Sequence, residues 1–147
     1  MRECGSCTAC CQGWLASIDL DMRPGKPCKH VCDSGCSIYE DRPVSPCRQF
    51  ECQWLQHGDR YDDDLRPDIS GVIISGFAQW NSWNVMHLTP TGSSIPTPSL
   101  DRIKVIAKSL GTPIRWTQYQ FDDDNNITSK SDHGWGPPSF IRLLDVT

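Results

Sequence analysis

The apolar positions of this chain fall into two unlike halves. From residue 71 onward they recur with a period. Residues 71–77 (GVIISGF) and 83–89 (WNVMHLT) read as two strands, with 78–82 between them as a hairpin loop. Residues 91–98 are a Gly/Ser/Pro loop. Residues 99–110 read as a helix: Ser99 takes the N-cap position, Asp101 lies in the first turn, and Ile103, Ile106, Ala107 and Leu110 form one apolar face. Gly111 and Pro113 end it. Residues 114–121 are a further strand, 122–126 a turn, 127–130 a short returning strand, and 140–146 a last strand or tail. The expected fold is α+β: a small, mostly antiparallel sheet with one main helix.

The first 52 residues have no such period. Large apolar side chains are few there, chiefly Trp14, Leu15, Ile18, Leu20, Val31, Ile38, Tyr39, Val44 and Phe50. A segment this poor in core residues does not stabilise itself by burial alone. Residues 50–57 read as a short helix leading out of it, stopped at Gly58, and 62–67 as an acidic turn. The expected organisation is a cysteine-rich, metal-nucleated lobe over 1–57 packed on an α+β lobe over 58–147 as a single domain.

Composition supplies the missing stabilisation. All nine cysteines lie in that first stretch: Cys4, Cys7, Cys10, Cys11, Cys28, Cys32, Cys36, Cys47 and Cys52. Thiols at this density hold a metal, carry an iron–sulfur cluster or form disulfides. An odd number argues against a closed disulfide framework. A structural metal contributes roughly 10–16 kcal/mol in small zinc peptides, enough to fold a segment with little core.

Net charge is −4, with no basic block, so nucleic-acid binding has no electrostatic support. No run approaches about 18 apolar residues, so no membrane-spanning helix is expected. The N-terminus lacks the charged and apolar regions of a signal peptide. A soluble protein in the cytoplasm or another reducing compartment is expected, where thiols stay available to metal.

The spacing of the cysteines narrows the chemistry. Cys4-x-x-Cys7-x-x-Cys10-Cys11 contains C-x-x-C pairs, whose tight turn aims both sulfurs at one metal. The same run is similar to the C-x₂-C-x₂-C that wraps a [4Fe–4S] cluster. Adjacent Cys10 and Cys11 diverge and do not suit the same mononuclear ion. Cys28, Cys32, Cys36, Cys47 and Cys52 are spaced as ligands brought in from loops. His30 is a possible substitute ligand, and Arg42 and Arg48 are candidate cations around the thiolates.

Three segments together, CGSCTACC (4–11), PCKHVCDSGCSIYEDRP (27–43) and CRQFEC (47–52), resemble the CxxCxxCC cysteine-cluster family. This is the YkgJ-like zinc- or iron-chelating domain also found in flagellin lysine N-methylase. The resemblance covers residues 4–55. It implies metal ligation by Cys4, Cys7, Cys10, Cys11, Cys28, Cys36, Cys47 and Cys52, leaving Cys32 as an extra thiol. Val44, Ser45 and Pro46 lengthen the approach to Cys47 relative to the family. The C-terminal lobe carries no such resemblance, and no methyl-donor site is legible.

The cofactor stays open at this point between a [4Fe–4S] cluster, which the C-x₂-C-x₂-C run favours, and up to two Cys₄ zinc ions. The remaining candidates read plainly. His87 is expected in a strand, packed or at the surface, and His133 in a Gly/Pro loop. Asp62–Asp64 and Asp122–Asp124 lack the Gly and distal Glu of a calcium loop and read as solvated turns. Trp14 and Trp54 shield the cysteines, while Trp80, Trp83, Trp116 and Trp135 are core or interface residues. There is no phosphate-binding glycine loop or nucleophile elbow. The expectation is therefore a metal- or cluster-binding protein with a mainly structural cofactor, acting with a protein partner. A redox or metal-handling protein is the alternative, ahead of an enzyme.

Overall fold

The computed structural model describes residues 7, 9–10, 13–14, 17–18, 20–32, 35–41, 47 and 50–146, with backbone alone at 32, 35, 145 and 146. In the cysteine-rich segment, two short strands, β1 (Val31–Cys32) and β2 (Gly35–Cys36), pair antiparallel. Two isolated bridges, Ser17 with Met22 and Arg23 with Lys26, fold the chain back on itself before them. Irregular backbone tied by a few local bonds fits the shortage of core residues there.

The short helix α1 (Gln53–Gln56) follows, as expected for that stretch. The acidic segment is a 3₁₀ turn over Asp63–Leu65 that runs on into α2 (Pro67–Ser70). Pro67 suits the first helical position because its missing N–H has no intrahelical role there. Gly71, at φ 78°, closes α2 in the left-handed region.

The α+β expectation holds. Four strands, β3 (Val72–Trp80), β4 (Trp83–Pro90), β5 (Ile114–Phe121) and β6 (Ile127–Trp135), form a sheet in sequential order. β3 and β4 pair antiparallel, as do β5 and β6, while β4 and β5 run parallel, joined by α3 (Thr97–Leu110). A parallel neighbour requires such a crossover.

Four local expectations are corrected. The 78–82 loop is a two-residue turn at Asn81 and Ser82, with Asn81 at φ 53°; asparagine tolerates that region and lets both strands run on. Residues 127–130 extend to a nine-residue strand, because full pairing with β5 outweighs the polar sequence SKSDHG. Residues 140–146 are neither strand nor tail but lie in α4 (Pro138–Val146). Ser99 is not the N-cap: the helix begins two residues earlier at Thr97 behind Pro96, and Ser99 Oγ donates to the Ser70 carbonyl at 2.7 Å, tying α3 to α2.

The core sits on the sheet. Val72, Ile73, Ile74, Met86, Leu88 and Ile114 are buried with Ile103 and Ala107 of α3 and with Tyr61 and Leu65. Each such side chain contributes roughly 1.5–3 kcal/mol on burial. Phe140 of α4 is fully buried and meets Trp80 and Trp83 edge-to-face, at 5.5 and 5.7 Å between centroids.

Among the described residues, the cysteine-rich segment reaches this sheet through contacts that include the following. The Trp14 ring packs 6.4 Å from Tyr119 and 6.2 Å from Phe121. Arg23 donates to the Asn125 carbonyl at 2.9 Å and to Asn126 Oδ1 at 3.1 Å. The Gln53 amide of α1 covers Gly76 of β3 so closely that a Cβ at Gly76 would stand 3.3 Å from Gln53 Nε2.

Candidate metal centre

Five of the six described thiols fall into two packing environments. Cys52 is buried in the main core with Trp54, and Cys7 and Cys10 pack against that same core together with Trp14 and Phe50. Cys28 is buried in a smaller, separate cluster with Leu20 and Met22, against which Cys47 packs. Cys36 is half-buried on β2, opposite Val31. All six are thiols rather than disulfide halves. Cys4, Cys11, Arg42 and Arg48 lie outside the described residues, as does the Cys32 side chain.

The donor chemistry suits a soft, thiolate-preferring cofactor. Among the described residues, however, no three His, Cys, Asp or Glu side chains converge to hold a metal ion. Among the described residues, neither group supplies a full set of donors. Cys4 and Cys11 are the sequence neighbours of Cys7 and Cys10.

Two local contacts involve these thiols. The His30 backbone N–H donates to Cys28 Sγ at 3.4 Å. His30 thus touches the cysteine group through its backbone, two residues on from Cys28. The Arg66 guanidinium pairs with Asp68 at 2.7 Å and also bonds Cys7. Burial works against the Arg66 cation, but Asp68 and Cys7 outweigh it and its pKa is raised. Sequence reasoning named Arg42 and Arg48 and missed Arg66. Nothing in the sequence ties residue 66 to residue 7; only the turn over Asp63–Leu65 and α2 bring them together.

Trp54 is buried in the core that holds Cys52, and Trp14, packed against the same core, also reaches Tyr119 of β5. Trp116 is buried, and it stacks on His133 at 5.8 Å, whose Nε2 meets Ser131 Oγ at 2.8 Å. His87 is half-buried, paired in register with Gly76 and Arg115; burial first and the Arg115 charge second pull its pKa below the usual imidazole value.

The acidic runs are used structurally. Arg102 of α3 bridges Asp62 at 2.5 Å and Asp64 at 3.2 Å. Asp122 accepts from the Asp124 and Asn126 backbone N–H groups, both at 2.9 Å, and closes the β5–β6 turn.

Among the described residues no helix is long and apolar enough to cross a membrane. The chain matches no known family model, no curated protein and no solved structure.

Proposed function

We propose that this chain is a small metal- or iron–sulfur-binding protein of the CxxCxxCC cysteine-cluster kind, with a mainly structural cofactor. It acts as an interaction module or as one component of a larger assembly. The observation that carries this reading is the concentration of thiols in a segment poor in core residues, where Cys7 and Cys10, like Trp14, pack against the core that holds Cys52. Arg66 beside Cys7 places a cation next to the proposed ligands. Ile18 stands almost wholly exposed (98%) in the turn between Ser17 and Met22, a side chain that a partner of the proposed kind would cover. Burying such a side chain is worth roughly 1.5–3 kcal/mol to a complex.

A second reading has its own support. The separation of Cys28 and Cys47 from Cys7, Cys10 and Cys52 favours two sites over one, as two Cys₄ zinc ions would need. In a redox or metal-handling protein, by contrast, the cofactor itself does the work.

Anaerobic purification followed by metal analysis, acid-labile sulfide and a visible spectrum on one sample tests these readings. Iron with matching sulfide and a broad band near about 400 nm supports the cluster; a reversible redox couple would then shift the reading to electron transfer. A colourless protein with two zinc ions supports the two-site scaffold. Neither metal nor sulfide in stoichiometric amount overturns both.

A further inference from the structure

A cavity of about 340 Å³ lies remote in sequence from every cysteine, where the C-terminal end of α3 meets the α3–β5 loop and the β6–α4 loop. Its walls are the Trp83 and Trp135 indoles, Pro113 and Pro137, with Ala107 and Lys108 from α3. Pro113 and Phe140 approach Gly136 so closely that any Cβ there would stand 2.8–2.9 Å from them, so this wall is tightly built. The volume lies at the small end of the range for small-molecule sites, about 300–1,000 Å³.

The lining specifies the occupant. Two half-buried indoles and two proline rings are flat apolar surfaces, suited to a planar aromatic ring rather than a branched aliphatic one. No lining residue is acidic, and Lys108 is the one charged group among them. Lys104, one turn earlier on α3, sits 6.0 Å from the Trp135 ring centroid and adds a second cation. At the C-terminal end of α3, Lys108 O accepts from Gly111 N–H at 3.1 Å and Ala107 O from Thr112 N–H at 3.0 Å, which leaves the two ammonium groups as the full charges beside the cavity. Paired indoles alone would also suit a quaternary ammonium, but two lysines repel one.

We propose that this cavity binds a small planar aromatic carboxylate, its ring between the Trp83 and Trp135 indoles and its carboxylate on the Lys108 ammonium. The site is independent of the metal reading, since no cysteine contributes to it.

The test is a titration of the full-length, ¹⁵N-labelled protein with 2-naphthoate, following the six indole N–H signals. The same titration is run with uncharged 2-naphthamide and cationic phenyltrimethylammonium. Saturable shifts of the Trp83 and Trp135 signals are expected with naphthoate, with weaker binding of naphthamide and none of the cation. Lys108→Gln, at an exposed position, should weaken naphthoate roughly five- to tenfold and leave naphthamide unchanged. Four results overturn the proposal: no saturable shift with naphthoate, equal binding of naphthoate and naphthamide, tighter binding of the cation, or shifts confined to the other tryptophans.

Discussion

At the scale of single residues, backbone geometry and burial decide more than residue type. Gly13 lies at φ 108°, and a Cβ there would collide with the Arg23 carbonyl oxygen. Neither the strain nor the clash is relieved by a side-chain move, because the obstacle is backbone. Gly13→Ala should therefore destabilise the protein by at least about 1–3 kcal/mol, measured by chemical denaturation. On the proposed reading it should also lower bound metal, since Gly13 follows Cys10 by three residues in sequence. Undiminished stability would show that the Gly13 loop does not hold the fold.

His87 makes a second residue-scale case, with its sign set by its environment. Burial and Arg115 hold its folded pKa below 6.5, its ordinary value. As pH falls, the unfolded chain takes up the proton first. The stability tied to a neutral His87 is thus complete above pH 6.5, is lost as pH falls from 6.5 toward the folded pKa, and changes no further below it. His87→Gln should show a smaller loss of stability between pH 8 and 5.5 than the parent. An NMR titration should place the folded His87 below 6.5. A folded value at or above 6.5 would contradict the buried, Arg115-facing position.

At the scale of elements, what the sequence discloses depends on whether stability is local. β3, β4 and β5 are legible because β-branched and aromatic runs are bounded by turn residues, and α3 because Ile103 and Ala107 recur at helical spacing before Gly111. The full length of β6 is not legible, since residues 128–132 are all polar and are held as a strand by backbone pairing to β5. α4 is hidden for the opposite reason. PSFIRLLDV looks apolar enough for a strand, and its helical state depends on Phe140 reaching Trp80 and Trp83. Phe140→Ala should cost about 3–5 kcal/mol and release α4 first, seen as early hydrogen exchange over Pro138–Val146. A loss under about 1 kcal/mol would mean that α4 is not held through this contact. Ser99→Ala should cost about 1 kcal/mol, for the bond to the Ser70 carbonyl alone. A true N-cap would behave differently, because its loss frays the start of the helix.

At the scale of the whole molecule, the sequence supplies candidate thiols but not their arrangement. Spacing marks Cys7, Cys10, Cys28, Cys36, Cys47 and Cys52, yet it says nothing of which share an environment. That depends on Leu20 and Met22 forming a cluster of their own and on Cys52 belonging to the core of the sheet. The two halves therefore differ in what holds them. The sheet has its own core, from Val72 to Ile114, whereas the cysteine segment leans on it through Trp14, Arg23 and Gln53. If the proposed cofactor stabilises that segment, removing it should unfold the molecule unevenly. Chelation under reducing conditions should raise hydrogen exchange over residues 20–41, while the amides of β3, β4 and β5 stay protected. The Trp14 contacts with Tyr119 and Phe121 should loosen at the same time, read as a change in tryptophan emission. Cys7→Ser should reproduce this effect and lower metal content, because Cys7 packs on the core that holds Cys52. Cys32→Ser should leave both unchanged. If chelation and Cys7→Ser leave exchange over residues 20–41 as it was, the segment is held by its contacts with the sheet alone and the cofactor is not what folds it.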